Sequence, residues 1–236
     1  MRSGGSNTHD THRSRPPNPA HQLVKITAEF VTSAAAAKDF PHDALPELAV
    51  VGRSNVGKSS LINALVRQRV ARTSAEPGKT RLANIFRVRR GTGPPFYLID
   101  LPGFGYARGG SDGFDELVQM VFARDVASLL LVDTRHPGLE NDLAAWRWVS
   151  QAACGAALVG TKIDKLPRGQ RIRALKELES VFQNSVLPVS AVTGEGLDEL
   201  WKLIDRLANS PNPPPRNSPP RAMAPPPRKS QGPRKR

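Results

Sequence analysis

One loop of eight residues constrains this chain more than any other feature. Residues 48–51 are mostly apolar and predict a short buried strand, and residues 52–59 (GRSNVGKS) then fit the pattern G-x-x-x-x-G-K-[ST]. A helix is predicted to begin at Ser59. Because this pattern binds phosphate when it lies between a strand and a helix, the sequence predicts a nucleotide site on an α/β fold.

Each residue type in the loop has a chemical reason. Gly52 and Gly57 allow backbone turns that a Cβ would block, so that successive N–H groups point at an anion. The positive end of the helix dipole and the Lys58 ammonium attract the β- and γ-phosphates. The Ser59 hydroxyl would ligate magnesium, and the Ser60 hydroxyl would reach the α-phosphate. The alternative is a glycine-rich turn that binds nothing.

The net charge of +13 is unevenly placed along the 236 residues. Residues 1–21 have a net charge of +2, and residues 210–236 carry seven cations and no acid, which leaves +4 for the middle. We predict one domain over residues 22–209 between two disordered tails. The basic tail points to a polyanion such as RNA or anionic lipid.

Cysteine usage and hydropathy exclude several classes of protein. Cys154 is the only cysteine, so an internal disulfide or a cysteine-rich metal site is excluded, and we expect it to be a buried apolar filler. No stretch has the length of a transmembrane helix, and the N-terminus lacks the apolar centre of a secretory signal. A cytoplasmic location is the simplest expectation.

Strand and helix patterns alternate along the chain. This alternation predicts a mainly parallel central sheet with helices on both faces, and residues 82–89 and 96–99 predict an antiparallel hairpin at its edge. Further strands are predicted at residues 128–132, 156–160 and 186–189, with residues 22–33 as a strand or extended lead-in. Helices are predicted at residues 59–69, 114–127, 140–152, 169–184 and 197–207.

Polar motifs follow several of these strands. Asp100 ends one strand and can hold magnesium through water, the alternative being an aspartate that only ends the strand. Asp164 in Thr-Lys-Ile-Asp can accept two hydrogen bonds from guanine, which selects GTP over ATP. Backbone N–H groups near Ser190 would meet the guanine oxygen. Arg135 and His136 are predicted to bond backbone in a loop rather than to act in catalysis.

Together these motifs resemble those of translation-factor-related P-loop GTPases. They are GRSNVGKSS at 52–60, PGKTR at 77–81, DLPGFGYA at 100–107, TKIDKL at 161–166 and VSA at 189–191. More narrowly, they are similar to the EngB (YihA/YsxC) family of bacterial ribosome-biogenesis GTPases, over roughly residues 22–208.

The resemblance implies a GTPase that assists assembly of the large ribosomal subunit, with a family link to cell division and septation. It implies GTP or GDP with Mg²⁺, the large subunit and its rRNA as partners, no DNA or membrane partner, and a monomer. Lys58, Thr80 and Asn55 would act in catalysis, and Ser59, Thr80 and, through water, Asp100 would bind the metal. The nucleotide-binding residues would be Gly52, Arg53, Ser54, Asn55, Val56, Gly57, Lys58, Ser59, Ser60, Gly78, Lys79, Thr80, Arg81, Leu82, Asp100, Leu101, Pro102, Gly103, Thr161, Lys162, Ile163, Asp164, Val189, Ser190 and Ala191.

Two features leave the mechanism open. Phe104 follows D-x-x-G where Ras-like enzymes have a water-orienting glutamine, so we predict slow intrinsic hydrolysis. Asn55 either helps to bind K⁺ beside the phosphates or only braces the loop.

The competing functions are a GTP-controlled switch and an RNA-binding assembly factor whose tail carries the affinity. A tRNA-modifying or membrane-associated GTPase is disfavoured, because neither an accessory catalytic domain nor an amphipathic membrane helix is evident.

Overall fold

The computed structural model describes residues 24–71, 82–104 and 112–209. Both predicted tails and the predicted site residues 78–81 lie outside these ranges. The described strands are β1 (Ile26–Ala34), β2 (Glu47–Gly52), β3 (Ala83–Arg90), β4 (Phe96–Asp100), β5 (Val126–Asp133), β6 (Gly155–Thr161) and β7 (Val186–Pro188). The α-helices are α1 (Lys58–Val66), α2 (Asp112–Phe122), α3 (Glu140–Ala152), α4 (Arg168–Phe182) and α5 (Leu197–Asn209), with short 3₁₀ turns at Ala37–Asp39 and Ile163–Lys165.

The described strands form one mixed sheet in the order β1-β3-β4-β2-β5-β6-β7. Strand β3 runs antiparallel to both β1 and β4, whereas β4, β2, β5, β6 and β7 pair in parallel. The predicted α/β class and the predicted antiparallel hairpin are therefore confirmed, but the hairpin is not at the edge of the sheet as predicted. Strand β1 pairs with the outer side of that hairpin and so forms the edge of the sheet.

The two faces of the sheet carry separate apolar cores. In β2, Ala49 and Val51 face one core, while Leu48 and Val50 face the other. Helices α2, α3 and α4 cover the first face, and α1 and α5 cover the second. Because β2 is buried on both faces, its sequence is a continuous apolar run rather than an alternation.

Some predicted boundaries and burials are wrong. Helix α1 ends at Val66, three residues early, because Arg67 adopts the left-handed conformation (φ 55°) and its N–H caps the helix. Helix α2 ends at Phe122 rather than near residue 127, since residues 126 and 127 belong to β5. On α4, Leu178 and Phe182 are buried as predicted, but Ile172 is 50% exposed.

Cys154 is half-buried rather than fully buried. Its Sγ lies 3.7 Å from the Asp125 carbonyl oxygen, and its side chain borders the core under α5. No helix among the described residues is long and apolar enough to cross a membrane.

Candidate nucleotide-binding site

Parallel pairing brings the carboxyl ends of β2, β4, β5, β6 and β7 to one edge of the sheet. In open α/β sheets this edge is where ligands bind. It gathers the loop after β2, the Asp100 segment after β4, the motif that ends β6 and the turn after β7. These are four of the five predicted motifs.

Steric constraints explain the glycines of the loop after β2, which we call the phosphate loop (residues 52–59). A Cβ on Gly52 would lie 2.8 Å from Val56 Cγ1 and 2.9 Å from the Leu131 carbonyl oxygen, so no side chain fits there. Gly57 is the N-cap of α1 and has a φ of 110°, which favours glycine. The loop therefore needs glycine at both positions that the motif specifies.

Lys58 is folded along the inside of this loop. Its Nζ donates to the carbonyl oxygens of Gly52 (2.9 Å) and Arg53 (3.1 Å), and the residue is 8% exposed. Burial lowers the pKa of Lys58 to about 8, although the Asp100 carboxylate opposes this shift. Within the described residues this buried ammonium bonds neutral carbonyls and no carboxylate, which favours an additional bond to a phosphate oxygen.

The end of β6 fastens the outer side of the phosphate loop. Thr161 Oγ1 donates to the Val56 carbonyl oxygen at 2.7 Å. Lys162 adopts the left-handed conformation (φ 62°), and its Nζ donates to the Asn55 carbonyl oxygen at 2.5 Å and to Asp133 Oδ2 at 2.9 Å. Two loop carbonyls thus point outward to side chains. The backbone N–H groups at the start of α1 have no acceptor among the described residues, as an anion site requires.

Asp100 and Ser59, two of the predicted magnesium ligands, contact each other beside Lys58. Ser59 Oγ donates to Asp100 Oδ2 at 3.2 Å, and the other oxygen, Oδ1, is buried without a hydrogen-bond partner among the described residues. Burial raises the pKa of Asp100 to about 6, against the opposing effects of Lys58 and Ser59. A buried oxygen without a donor beside a serine hydroxyl fits the oxygen ligands that Mg²⁺ prefers. Thr80, the other predicted ligand, lies outside the described residues.

Asp164 and Ser190, which are predicted to bind the base, contact each other. Ser190 Oγ donates to Asp164 Oδ1 at 2.7 Å and accepts the N–H groups of Val192 and Thr193. Burial alone would raise the pKa of Asp164, but the Ser190 hydrogen bond and the Lys165 ammonium lower it below its usual value. The group is therefore a carboxylate at neutral pH, as acceptance of two guanine hydrogen bonds requires.

The segment after β4 contacts the phosphate loop directly. Ser54 N–H donates to the Phe104 carbonyl oxygen (3.1 Å), and Ser54 Oγ donates to the Gly103 carbonyl oxygen (3.3 Å). A Cβ on Gly103 would lie 2.6 Å from Ser54 N, so only glycine fits. Phe104 packs against the core and has no side-chain group that would orient a water molecule.

Sequence reasoning missed one buried ion pair at this site. Arg53 Nε donates to both carboxylate oxygens of Asp142, at 3.0 and 3.2 Å, and Asp142 is 1% exposed. Burial raises the pKa of Asp142 to about 6, even though Arg53 lowers it. This pair anchors the phosphate loop to α3. The available signal was an aspartate in the first turn of α3, which looks like an ordinary helix-dipole residue.

Asp133 bonds two cationic side chains beside the phosphate loop, which its sequence position did not indicate. Its carboxylate accepts from Arg135 (2.9 and 2.7 Å) as well as from Lys162, and these bonds lower its pKa to about 2, although burial opposes them. The Arg135 side chain therefore bonds a carboxylate, not backbone as predicted. His136 N–H donates to the Asp133 carbonyl oxygen, and its side chain is exposed.

The remaining predicted site residues differ in how they can take part. Leu101, Pro102, Ile163 and Val189 have buried side chains, so a nucleotide could contact only their backbone groups. Leu82 is 38% exposed just before β3. Gly78, Lys79, Thr80 and Arg81 lie outside the described residues.

Comparison with known proteins agrees with this geometry. A family model described as 50S ribosome-binding GTPase matches residues 47–159. A probable GTP-binding protein EngB of Solibacter usitatus is 42% identical over 191 residues, which cover 77% of this chain and 96% of that protein. The chain belongs to the EngB family of GTP-binding proteins. As an EngB-family protein it is a GTPase.

Solved structures share the fold of this EngB-family chain. A crystal structure of a probable GTP-binding protein engB has a TM-score of 0.50 at 20% identity, covering 69% of this chain and 98% of that one. Era in complex with MgGDPNP and a 16S ribosomal RNA fragment has a TM-score of 0.62 at 23% identity, covering 73% of this chain and 59% of Era. At these identities the likeness shows the fold alone.

Proposed function

We propose that this EngB-family GTPase is a molecular switch that assists assembly of the large ribosomal subunit. The observation that carries the proposal is the contact of Gly103 and Phe104 with Ser54. Because the segment after β4 bonds the phosphate loop, a γ-phosphate at that loop changes the segment's surroundings directly. The family model's description as a 50S ribosome-binding GTPase supports the choice of partner.

The proposed nucleotide site would include magnesium. Ser59 and, through water, Asp100 would hold the ion, which would neutralise phosphate charge as it builds up during hydrolysis. Lys58 stabilises the same charge from inside the loop. Because Phe104 cannot orient the attacking water, slow intrinsic turnover stays our prediction, with acceleration supplied by a partner or a second cation.

We propose K⁺ as that second cation, with Asn55 as a ligand. The Asn55 side chain is exposed at the rim of the phosphate loop. Lys162 bonds the backbone carbonyl oxygen of Asn55 and not its side chain, so the side-chain amide oxygen is available to a cation. Single-turnover hydrolysis in K⁺ should exceed that in Na⁺, and Asn55→Ala should remove the difference. Equal rates in both salts would leave Asn55 as a brace of the loop only.

The second candidate is an RNA-binding assembly factor in which nucleotide is structural. It is favoured by the +7 charge of residues 210–236, about half of the net charge of the chain. In both candidates the partners are the large subunit and its rRNA, the protein acts as a monomer, and the place of action is the cytoplasm. A link to septation follows from the family resemblance alone.

Cosedimentation with purified large subunits separates the two candidates. The switch predicts stronger binding with a non-hydrolysable GTP analogue than with GDP, and a larger loss from Lys58→Ala than from replacing the seven tail cations with glutamine. The tail-driven alternative predicts equal binding in both nucleotide states and the reverse order of the two variants. Absence of binding in either state would refute the ribosome assignment and leave the GTP site intact.

A further inference from the structure

The first half of α4 presents cations to solvent. Arg168, Arg173 and Lys176 are exposed, and Ile172 among them is half-exposed. Residues four apart are neighbours on a helix, so Arg168, Ile172 and Lys176 follow one ridge with Arg173 beside it. We call these four residues the α4 stripe. Within residues 24–71, 82–104 and 112–209, none of its cations forms an ion pair.

The sequence at the start of α4 opposes helix stability. The N-cap, Pro167, makes no side-chain hydrogen bond, and the first turn has no acidic residue. Arg168 instead places a cation at the positive end of the helix dipole, which costs about 0.3–1 kcal/mol. Gly169 costs about another 0.5–1 kcal/mol relative to alanine. Local choices that oppose the fold are expected at functional sites.

Gly169 has no structural reason to be glycine. Its φ is outside the left-handed region, and a Cβ there would meet nothing within 4 Å. Gly103, by contrast, has no room for a side chain. Gly169 lies on the exposed face between Arg168 and Arg173, and its missing side chain lets the backbone of a partner approach the helix closely.

The stripe lies on a rigid base. Arg171, on the inner side of the same turn, donates to both carboxylate oxygens of Glu195 at 2.7 and 2.9 Å, which ties α4 to the loop before α5. The buried Leu178 and Phe182 fix the helix on the sheet. The backbone positions that carry the cations are therefore fixed relative to one another before a partner binds.

We propose that the α4 stripe docks the phosphate backbone of double-helical rRNA; the identity of this RNA rests on the proposed function. Three cations that form no ion pair with the described part of the chain, set on one helical ridge, suit a regular row of phosphates. Phosphate contacts supply register without reading sequence. Ile172 alone cannot anchor a membrane helix, which needs a broad exposed apolar face, and the apolar face of α4 is buried. Charge complementarity therefore selects RNA.

Charge reversal tests this docking in the full-length protein. The stripe variant is Arg168→Glu/Arg173→Glu/Lys176→Glu. The control, Lys38→Glu/Arg89→Glu/Lys202→Glu, makes the same change in net charge at exposed cations on other elements. Both are titrated with large subunits and with a synthetic RNA duplex over a range of salt. We expect the stripe variant to bind at least about tenfold more weakly, with a salt slope lower by about three, and the control to lose much less.

Folding is followed by thermal unfolding and by binding of fluorescent GDP. A glutamate at position 168 suits the helix dipole, whereas glutamates at positions 173 and 176 repel Glu177 and Glu179 one turn away. These effects offset each other in part, so the stripe variant should stay within about 1 kcal/mol of the wild type in its free energy of unfolding. Gly169→Ala should be more stable by about 0.5–1 kcal/mol and yet bind RNA more weakly. Binding equal to that of the wild type would overturn the role assigned to Gly169.

The outcomes distinguish this inference from the proposed function. If the wild type binds large subunits and the stripe variant binds them as well as the control does, the docking surface is wrong and the switch stands. If the wild type fails to bind subunits while duplex binding still depends on the stripe, the docking surface stands and the switch assignment fails. Stripe-dependent binding to phosphatidylserine vesicles, with no stripe dependence on RNA, would overturn the inference in favour of a lipid surface.

Discussion

Replacing Asp142 with asparagine should weaken nucleotide binding more than it weakens the fold. Burial outweighs the Arg53 ion pair in raising the pKa of Asp142 to about 6, so the carboxylate is costly where it lies. A neutral residue of the same shape removes this cost, so Asp142→Asn should not lower the free energy of unfolding at neutral pH. The stability of the fold therefore does not explain why residue 142 is an aspartate.

We expect the substitution to lower the affinity for nucleotide instead, because it weakens the contact that holds the phosphate loop on α3. A hydrogen bond to a charged group contributes about 1.5–3 kcal/mol, and water replaces part of it because the Arg53 side chain is 25% exposed. We take about 1.4 kcal/mol as the remaining loss, which is a tenfold rise in the Kd for GDP. Titration with a fluorescent GDP analogue measures this change, and urea denaturation measures the stability.

A matched ion pair at the other end of β2 serves as the control. Arg124 Nε donates to both oxygens of Glu47 at 3.0 and 2.8 Å, and Glu47 is 8% exposed. Glu47→Gln breaks the same kind of contact far from the loop and should leave the Kd within about twofold. An unchanged Kd in Asp142→Asn, or an equal rise in both variants, would refute the reasoning.

The same aspartate gives a dependence on pH with a definite sign. Because the pKa of Asp142 is raised in the folded protein, protonation favours folding, and its contribution to the free energy of unfolding falls as pH rises from about 4 to about 6. Asp142→Asn should therefore gain stability relative to the wild type over that range. A stability difference that is constant between pH 4 and pH 7 would contradict this assignment.

Three further substitutions test the contacts of the site. Gly103→Ala places a Cβ 2.6 Å from Ser54 N and should abolish most of the difference in affinity between GTP analogue and GDP, measured by fluorescence titration. Thr161→Val leaves the buried Val56 carbonyl without its donor and should lower the free energy of unfolding by about 1–3 kcal/mol; an unchanged urea midpoint would contradict this. Ser190→Ala removes the hydroxyl partner of Asp164, the predicted guanine ligand, and should weaken GDP binding by about 0.5–1.5 kcal/mol in the same titration.

The sequence was informative where local rules govern. Short patterns predicted the phosphate loop, the alternation of strands and helices, and the hairpin. The sheet brings four of the five predicted motifs to one edge. Helix ends were less predictable. Arg67 ends α1 in a left-handed conformation, and arginine is not a residue type that predicts this conformation.

Contacts between distant elements were the part that could not be read from sequence. Asp142 lies 89 positions from Arg53, and Lys162 lies 107 positions from Asn55. Such pairs depend on how the sheet folds rather than on local pattern. The exposure of Ile172 was missed for the same reason, since its helical spacing matched the buried face.

The side chains that hold the carbonyl oxygens of the phosphate loop have a consequence for the cost of binding. Lys58, Lys162 and Thr161 keep the loop in one conformation, and fixing a single flexible residue costs about 1–2 kcal/mol of conformational entropy. In this protein that entropy is lost when the sheet folds. A nucleotide therefore meets a rigid receptor, and the free energy of its phosphate contacts goes into affinity instead of into ordering the loop.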